Sequence, residues 1–257
     1  MIPILFEIGP FRVGSFGLMM VIAFLICVYF IQREFKKSGF QPEWAVNIVF
    51  VGALCGIVGA RLYFILEYFS EFLRDPLSML LSGSGLTWYG GFIAGFIGIV
   101  WMIYRLPAPT VKMADIIAPM VLLGYGIGRI GCLLAGDGDY GFATNVPWAM
   151  SFPNGLVPTE VAVHPTPIYD TLMSFTAFLI LWNLRKKITI PGFMVSGLFF
   201  CYGIIRFISE FFRTTPKVLF GWMSMAQIIS VLSIVFAILC AIYYNKKASQ
   251  EKVVAVT

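Results

Sequence analysis

An arginine and two aspartates lie close together in the stretch YGIGRIGCLLAGDGDYG, and these residue types could bind an anion. Arg129 stands between Gly128 and Gly131, and Asp137 and Asp139 follow it. Arginine binds phosphate through two parallel hydrogen bonds, and its charge persists on burial because a guanidinium pKa lies above about 12. The glycines leave space beside the cation. The stretch therefore predicts a phosphate ligand for Arg129, with the aspartates either closing over it or remaining solvated loop residues.

A second set of polar residues has the spacing of one helical face. The polar residues of YGIIRFISEFFR recur at i, i+4, i+8 and i+11, namely Tyr202, Arg206, Glu210 and Arg213. With 3.6 residues per turn, these positions lie on one side of a helix. Arg206 can pair with Glu210 one turn later, and Tyr202 offers a hydroxyl one turn earlier. Because lipid cannot satisfy such groups, this face must be directed at protein.

The lone histidine of the chain, His164, begins the stretch HPTPIYD. A histidine can act as a general base near neutral pH, whereas a single histidine is also commonly a hydrogen-bonded structural residue. Asp170 ends the same stretch and could orient a base, pair with an arginine or interact with a helix N-terminus. His164 is therefore a candidate catalytic residue with a structural alternative.

Two further polar residues occur in apolar stretches. Tyr89 precedes the glycine pair Gly90 and Gly91 in TWYGGFIAG. Its phenol could point into a polar cavity, or it could be one of the aromatic residues common at membrane interfaces. Arg61 in GARLYF could belong to a polar site or form a structural ion pair.

The elements that must position these side chains are membrane helices. The chain of 257 residues is 59% hydrophobic and 12% charged, and its mean hydropathy of +0.87 lies outside the range of soluble domains. Apolar runs long enough to cross a hydrocarbon core of roughly 30 Å occur near residues 14–32, 44–66, 85–105, 114–134, 165–184, 191–212 and 221–244. We therefore predict an all-α, polytopic membrane protein with seven transmembrane helices in a single domain, residues 1–257.

The basic residues of the connections fall mainly on one side of the predicted membrane. That side holds Arg33, Lys36, Lys37, Arg105, Lys112, Arg185, Lys186, Lys187, Lys246, Lys247 and Lys252, whereas the other holds Arg12, Arg74, Arg213 and Lys217. By the positive-inside rule the N-terminus is extracytoplasmic, the C-terminus is cytoplasmic, and residues 135–164 form an elaborated extracytoplasmic loop. The start MIPILFEIGP lacks a basic n-region and a cleavage site, which predicts a retained first helix. The net charge of +5 follows from this topology and requires no nucleic-acid partner.

Three arginines fall inside the predicted spans, namely Arg61, Arg129 and Arg206. A charge at the bilayer centre costs at least about 2.5–3.5 kcal/mol on insertion scales, so each arginine needs a partner or a wet cavity. The anionic phosphate normally available inside a bilayer belongs to a lipid. We therefore predict a polar interior site whose ligand is a phospholipid headgroup.

The cysteines and several glycines predict packing. All five cysteines lie in or at the ends of predicted spans, which favours apolar packing over a disulfide framework or a metal cluster. We expect no metal and no cofactor. Small residues four positions apart let helices approach closely in lipid, and they occur at Gly52 with Gly56, Gly91 with Gly95, and Gly124 with Gly128.

Taken together, these motifs resemble those of the prolipoprotein diacylglyceryl transferase family. The resemblance extends over nearly the whole chain and rests on GRIGCLLAGDGDYG, GARLYF, YGG, HPTPIYD, YGIIRFISEFFR and SMAQIIS. It implies a bacterial inner-membrane enzyme that transfers the sn-1,2-diacylglyceryl group of phosphatidylglycerol to the lipobox cysteine of prolipoproteins. The implied products are a thioether and glycerol phosphate, and the implied step is the first of lipoprotein maturation.

The resemblance also implies roles for individual residues. The positions that match the family signature and its sixth-span cluster are Arg129, Gly141, Tyr202, Arg206 and Glu210. We expect Arg129 and Arg206 to hold the phosphate and Glu210 to position Arg206. The expected lipid site further includes Arg61, Gly90, Gly91, Gly128, Gly131, Gly141 and Asp137, the last of which stands near a family glutamate.

Three positions differ from the best-known family members: Tyr89 replaces a histidine, Cys132 an asparagine and Phe16 a tyrosine. The first change bears on how the acceptor thiol is activated, since a thiol with a reference pKa near 8.5 reacts as the thiolate. Tyr89 and His164 are both candidate bases. A third alternative is that no base is needed because the arginine field stabilises the thiolate.

Two other functions are compatible with a membrane protein of this composition. A lipid-binding relative without transferase activity is one, since the three departures could abolish catalysis. A channel or transporter is the other, although transporters typically show paired broken helices in corresponding halves. The sequence has no such symmetry.

Overall fold

Long helices dominate the computed structural model of the chain, which describes residues 1–9, 11–81, 87–219 and 221–254. The long helices are α1 (Ser15–Lys37), α2 (Glu43–Glu67), α5 (Trp88–Arg105), α6 (Thr110–Ala135), α7 (Thr166–Leu184), α8 (Phe193–Ser209) and α9 (Met225–Val254). Two short helices, α3 (Phe69–Phe72) and α4 (Pro76–Leu81), follow α2, and a 3-10 turn, Glu210–Phe212, follows α8. Each predicted span thus overlaps a helix, and residues 85 and 86 of the third predicted span lie outside the described residues.

Five helical segments are long and apolar enough to cross a membrane, judged within the described residues. They are Ser15–Lys37, Glu43–Glu67, Thr110–Ala135, Phe193–Phe212 and Met225–Gln250. A shorter apolar helix covers Gly90–Arg105. These helices confirm the predicted class of multi-pass helical membrane protein. The helix α7 is not one of the five, and its polar residues include the fully buried Asp170 and Ser174.

Three small hairpins interrupt the helical pattern and were not predicted. Each consists of two antiparallel strands: β1 (Ile4–Ile8) with β2 (Phe11–Gly14), β3 (Met150–Phe152) with β4 (Thr159–Val163), and β5 (Lys217–Leu219) with β6 (Met223–Ser224). Strands of two to five residues lie at or below the short end of the range over which alternating hydrophobicity indicates a strand. The connection between α6 and α7 therefore contains ordered β-structure instead of being an irregular loop.

The described chain divides into two compact units whose boundaries lie within α1 and α6. One unit comprises Val28–Met113. In it α2 and α5 pack glycine against glycine: a Cβ on Gly59 would lie 2.5 Å from the carbonyl oxygen of Gly90. Gly91 and Gly95 approach the carbonyls of Gly56 and Gly52 in the same way. The predicted small-residue packing of these helices is confirmed.

The other unit comprises Met1–Cys27 and Ala114–Thr257, and it contains α7, α8 and α9. Thr171 on α7 donates a hydrogen bond to the carbonyl of Gly126 on α6, with 3.1 Å between the two oxygens. A Cβ on Gly126 would lie 2.6 Å from the ring of Phe175. Because α6 and α7 are held this closely, Arg129, which lies about one turn after Gly126, can meet Asp170, which directly precedes Thr171.

Candidate active site

Arg129 lies on α6 near the start of the connection to α7, and its side chain is 8% exposed. Its Nε lies 2.9 Å from Oδ2 of Asp170, which is fully buried on α7. Its Nη1 forms a second ion pair with Asp139 and lies 3.3 Å from the sulfur of Cys132. The carboxylates of two different segments therefore hold this guanidinium in place.

Two nitrogens of this guanidinium, Nε and Nη2, have no hydrogen-bond partner among the described residues, and Nε is engaged only through the ion pair with Asp170. The Nη2 atom of Arg129 is buried and has no hydrogen-bond partner among the described residues. A buried donor without a partner costs about 1–3 kcal/mol, and more when it is charged. Two carboxylates orient Arg129 while Nη2 stays free, an arrangement suited to binding an additional anion.

Asp139 bridges two arginines at the start of the connection after α6. Its carboxylate forms ion pairs with Arg129 and with Arg213, and the Arg213 guanidinium also donates to its backbone carbonyl at 3.1 Å. Burial alone would raise the pKa of Asp139, but the two guanidinium charges outweigh it and lower the pKa to about 2. Asp137, the acid expected to contribute to the site, instead accepts the backbone N–H of Asp139 at 3.2 Å.

The predicted ion pair of the polar helical face is confirmed. Nη2 of Arg206 lies 2.9 Å from Oε2 of Glu210, which is fully buried at the end of α8. Thr215 donates a hydrogen bond to the other carboxylate oxygen. Glu210 is therefore held from both sides, and it fixes the position of an arginine that is itself 18% exposed.

Two tyrosines, Tyr125 and Tyr202, lie between Arg129 and Arg206. Tyr125 precedes Arg129 by one turn of α6, and its ring makes an edge-to-face contact with Tyr202 at a centroid distance of 5.6 Å. The phenol is close enough to interact electrostatically with Arg129, Asp170 and Arg206. Sequence reasoning missed Tyr125, although its spacing of four residues from Arg129 already placed both on one helical face.

His164 lies at the edge of the same region and is buried. Its Nδ1 lies 2.9 Å from the hydroxyl of Tyr169, and the rings of Phe142 and Phe212 contact the imidazole at centroid distances of 4.8 and 5.1 Å. The backbone of His164 is bonded on both sides, since its N–H donates to Phe142 and its carbonyl accepts from Gly141. The histidine thus has a structural role, and its catalytic role remains a prediction.

Gly141 brings the connection after α6 against the segment after α8. A Cβ at this position would lie 2.1 Å from the carbonyl oxygen of Phe212 and 2.9 Å from the Cβ of His164. The next residue, Phe142, donates its N–H to that same carbonyl at 3.1 Å. The close approach of the two backbones therefore requires glycine at position 141. The same backbone pairing places Arg213 next to Asp139.

The glycines that flank Arg129 accommodate another helix. A Cβ on Gly131 would lie 3.1 to 3.3 Å from Met19 and Phe16 of α1, and one on Gly128 would lie 3.6 Å from the sulfur of Met20. Space around these glycines is therefore occupied in part by α1. Their contact with a lipid headgroup remains a prediction.

Several predicted site residues belong to the unit Val28–Met113. Gly90 and Gly91 lie in the contact between α2 and α5, and Arg61 donates to the carbonyl of Met79 at 3.1 Å. The side chain of Tyr89 lies outside the described residues. The roles predicted for these four residues therefore remain predictions.

Cys132, Asp137 and Asp139 bring potential metal-ligand atoms within 4.8 Å of one another. The carboxylate of Asp139 is already paired with Arg129 and Arg213. Two guanidinium charges at this distance oppose the entry of a divalent cation. The cluster is better described as part of the arginine network.

The fold and the site together define a class: a multi-pass membrane protein with a buried centre of arginines and carboxylates. Comparison with known families identifies the particular one. The profile described as prolipoprotein diacylglyceryl transferase matches residues 3–243. The chain therefore belongs to the prolipoprotein diacylglyceryl transferase family, as the motifs predicted.

Curated relatives share similarity with nearly the whole chain, and each bears the name phosphatidylglycerol–prolipoprotein diacylglyceryl transferase. The relative from Clostridium tetani is 32% identical over 238 residues, covering 92% of this chain and 95% of the relative. The relative from Photobacterium profundum is 33% identical over 252 residues, covering 95% and 93%. The relative from Aliivibrio salmonicida is 34% identical over 255 residues, covering 95% and 88%.

Proposed function

We propose that this protein transfers the sn-1,2-diacylglyceryl group of phosphatidylglycerol to the lipobox cysteine of prolipoproteins. The reaction forms a thioether, releases glycerol phosphate and is the first step of bacterial lipoprotein maturation. The names of the relatives support this activity. The single observation that carries it is the buried Arg129, whose Nη2 has no hydrogen-bond partner in the part of the chain that the structure describes.

In this proposal Arg129 and Arg206 bind the phosphate of the lipid. Asp170 and Asp139 orient Arg129, while Glu210 orients Arg206. Preorganised guanidinium groups need little rearrangement during the reaction, so they stabilise developing charge effectively. Tyr202, which is also one of the predicted catalytic residues, borders the same region through its contact with Tyr125.

The chemistry requires charge to develop on the phosphate. The thiolate sulfur attacks the glyceryl carbon that bears the phosphate ester, the carbon–oxygen bond breaks, and its electron pair leaves with glycerol phosphate. Removing one preorganised donor of this kind typically costs about 100- to 1000-fold in rate. The arginines thus act on the leaving group, and activation of the thiol by Tyr89, by His164 or without a base is a separate step.

The remaining lipid contacts are proposed from the family motifs. Four of these contacts belong to the same sequence motif as Arg129, namely Gly128, Gly131, Asp137 and Gly141. Three come from the second and third spans, namely Arg61, Gly90 and Gly91. Phosphatidylglycerol and a prolipoprotein signal peptide with a lipobox cysteine are the two substrates. We propose no cofactor, metal or nucleic-acid partner.

We further propose a seven-span topology in the bacterial inner membrane, with residues 1–257 acting as a single transferase domain. The N-terminus and the active site face the extracytoplasmic side, as does the connection 135–164, and the C-terminus is cytoplasmic. Helices at all seven predicted positions and the bias of lysines and arginines support this arrangement.

Mass spectrometry of a synthetic lipobox peptide, incubated with the purified protein and phosphatidylglycerol, tests the function. We expect a diacylglyceryl adduct and an equal amount of glycerol phosphate, and no adduct when the peptide cysteine is replaced by serine. Folded protein that binds the lipid without producing either product would instead indicate a lipid-binding relative. Movement of a solute across vesicles without adduct would indicate a transporter.

A further inference from the structure

The hydroxyl of Tyr169 joins two side chains in one hydrogen-bonded chain beside the arginine site. Nε1 of Trp148 donates to this hydroxyl at 2.7 Å, and Nδ1 of His164 lies 2.9 Å from the same oxygen. Trp148 belongs to the connection between α6 and α7, whereas Tyr169 lies in the first turn of α7. The three side chains form one hydrogen-bonded chain, within which a proton can pass between the phenol of Tyr169 and the imidazole of His164.

The chemistry of the groups fixes the donor in the contact of Trp148 with Tyr169. An indole N–H can only donate, so the oxygen of Tyr169 accepts from Trp148. In the tautomer of His164 whose ring proton lies on Nε2, the phenol of Tyr169 donates its proton to Nδ1, and the relay uses this tautomer. Because the phenolic oxygen has two lone pairs and Trp148 uses one, a second acceptor position remains.

Of these three side chains, Tyr169 is the one whose hydroxyl a substrate would contact. His164 is 7% exposed and is covered by the rings of Phe142, Phe212 and Tyr169. Tyr169 is only half-buried, and the Trp148 that bonds it is 59% exposed. Tyr169 also directly precedes Asp170, whose carboxylate orients Arg129 at 2.9 Å.

We propose that Tyr169 is the catalytic residue that takes the proton of the acceptor thiol, and that it relays a proton to His164. This inference rests on the proposed transferase function. The S–H proton moves to the Tyr169 oxygen as the phenolic proton moves to Nδ1 of His164, which becomes an imidazolium. The resulting thiolate then attacks the glyceryl carbon, and Trp148 positions the phenol.

The charged groups nearest this path are engaged with one another. Asp139, on the segment that carries Phe142, pairs with Arg129 and with Arg213. Arg213 directly follows Phe212. Asp170 on α7 pairs with Arg129, and Glu210 before Phe212 pairs with Arg206. The imidazole of His164, whose Nδ1 lies 2.9 Å from the phenolic oxygen, is therefore the proton acceptor that the relay uses.

Replacing the acceptor cysteine by selenocysteine separates proton removal from every other role of Tyr169. A selenol is ionised at neutral pH and needs no base, whereas the lipid and its leaving group are unchanged. We would measure kcat/KM for thioether or selenoether formation with both peptides, using the full-length protein in detergent with phosphatidylglycerol. The variants are Tyr169→Phe, His164→Gln and Arg206→Gln.

Tyr169→Phe and His164→Gln should each lower kcat/KM for the cysteine peptide by about 100-fold or more, as expected for loss of a general base. Both should lose less than about tenfold with the selenocysteine peptide. Arg206→Gln should impair both peptides equally, because it acts on the leaving group.

Tyr140→Phe is the matched control. Tyr140 lies in the same connection and stacks on Phe152 at 4.4 Å, and its buried hydroxyl has no hydrogen-bond partner among the described residues. This variant should react with both peptides at the wild-type rate.

Equal losses of Tyr169→Phe with both peptides, or a wild-type rate with cysteine, would overturn the relay. Such a result would leave the transferase function intact, because the wild-type protein would still form the adduct. Failure of the wild-type protein with both peptides would instead overturn the proposed function itself.

Discussion

Asp139 illustrates what a single residue adds to the site. It lies between Arg129 and Arg213, whereas Asp137, two residues earlier, bonds a backbone N–H. The spacing in the sequence could not distinguish these two acids. Gly136 and Gly138 adopt positive φ angles of 60° and 91°, which turn the chain in ways that sequence periodicity does not reveal.

Asp139→Asn should lower the melting temperature at neutral pH, because the variant removes the carboxylate that two guanidinium groups share. The folded pKa of about 2 lies below the ordinary value near 3.9. The stabilising contribution of Asp139 is therefore complete above about pH 4 and is lost as the pH falls towards 2. Thermal melts of both proteins across this range should show the difference in melting temperature shrinking on acidification.

Asp137→Asn is the control for this comparison, since Asp137 accepts a backbone N–H and forms no ion pair among the described residues. It should lower the melting temperature less than Asp139→Asn at neutral pH. An equal effect of the two substitutions would contradict the bridging role of Asp139.

At the scale of elements, the positions of the helices were predictable and the contacts between their connections were not. Apolar runs predicted all seven long helices, and the spacing of Arg206 and Glu210 predicted their ion pair. The pairing of Gly141 with Arg213 joins segments that are distant in sequence. Such contacts depend on how α6, α7 and α8 pack, which hydrophobic periodicity does not specify.

Gly141→Ala should destabilise the protein and abolish transfer, because the added methyl group would lie 2.1 Å from the carbonyl oxygen of Phe212. Overpacking against a backbone atom typically costs about 1–3 kcal/mol or more. Gly17→Ala on α1 is the control, since no atom lies within 4 Å of its added Cβ. Melting temperatures and transfer rates of the two variants should differ accordingly, and a Gly141→Ala protein equal to wild type would contradict the close contact.

Asp115 on α6 supports the start of α8. Its carboxylate accepts the N–H groups of Gly192 at 2.6 Å and Val195 at 3.0 Å, which would otherwise lack partners at the helix N-terminus. Asp115→Ala should destabilise the protein by about 1–2 kcal/mol. Asp115→Asn, which keeps one acceptor oxygen, should have a smaller effect in thermal melts, and equal effects would contradict the capping role.

At the scale of the whole molecule, composition was sufficient to predict the class but not the finer architecture. The mean hydropathy and the apolar runs led to a multi-pass membrane protein, which five long apolar helices confirm. The division into two compact units has no signal in composition, because both units consist of similarly apolar helices. The orientation of the chain in the membrane follows from the basic residues and is open to direct test.

Cysteine labelling in intact cells tests that orientation. Asn154 lies in the connection between α6 and α7 and Ser249 lies near the end of α9, and both are exposed. Asn154→Cys should react with a membrane-impermeant maleimide added outside, whereas Ser249→Cys should react after the membrane is permeabilised. Labelling of Ser249→Cys in intact cells, or none of Asn154→Cys before permeabilisation, would contradict the predicted topology.

In the proposed mechanism the buried guanidinium of Arg129 stabilises the phosphate leaving group. The most direct test is the rate of thioether formation by Arg129→Gln, compared with Arg105→Gln at the exposed end of α5. We predict a loss of about 100- to 1000-fold for Arg129→Gln in protein that still inserts and purifies, and a wild-type rate for the control. Undiminished turnover by Arg129→Gln would contradict the account.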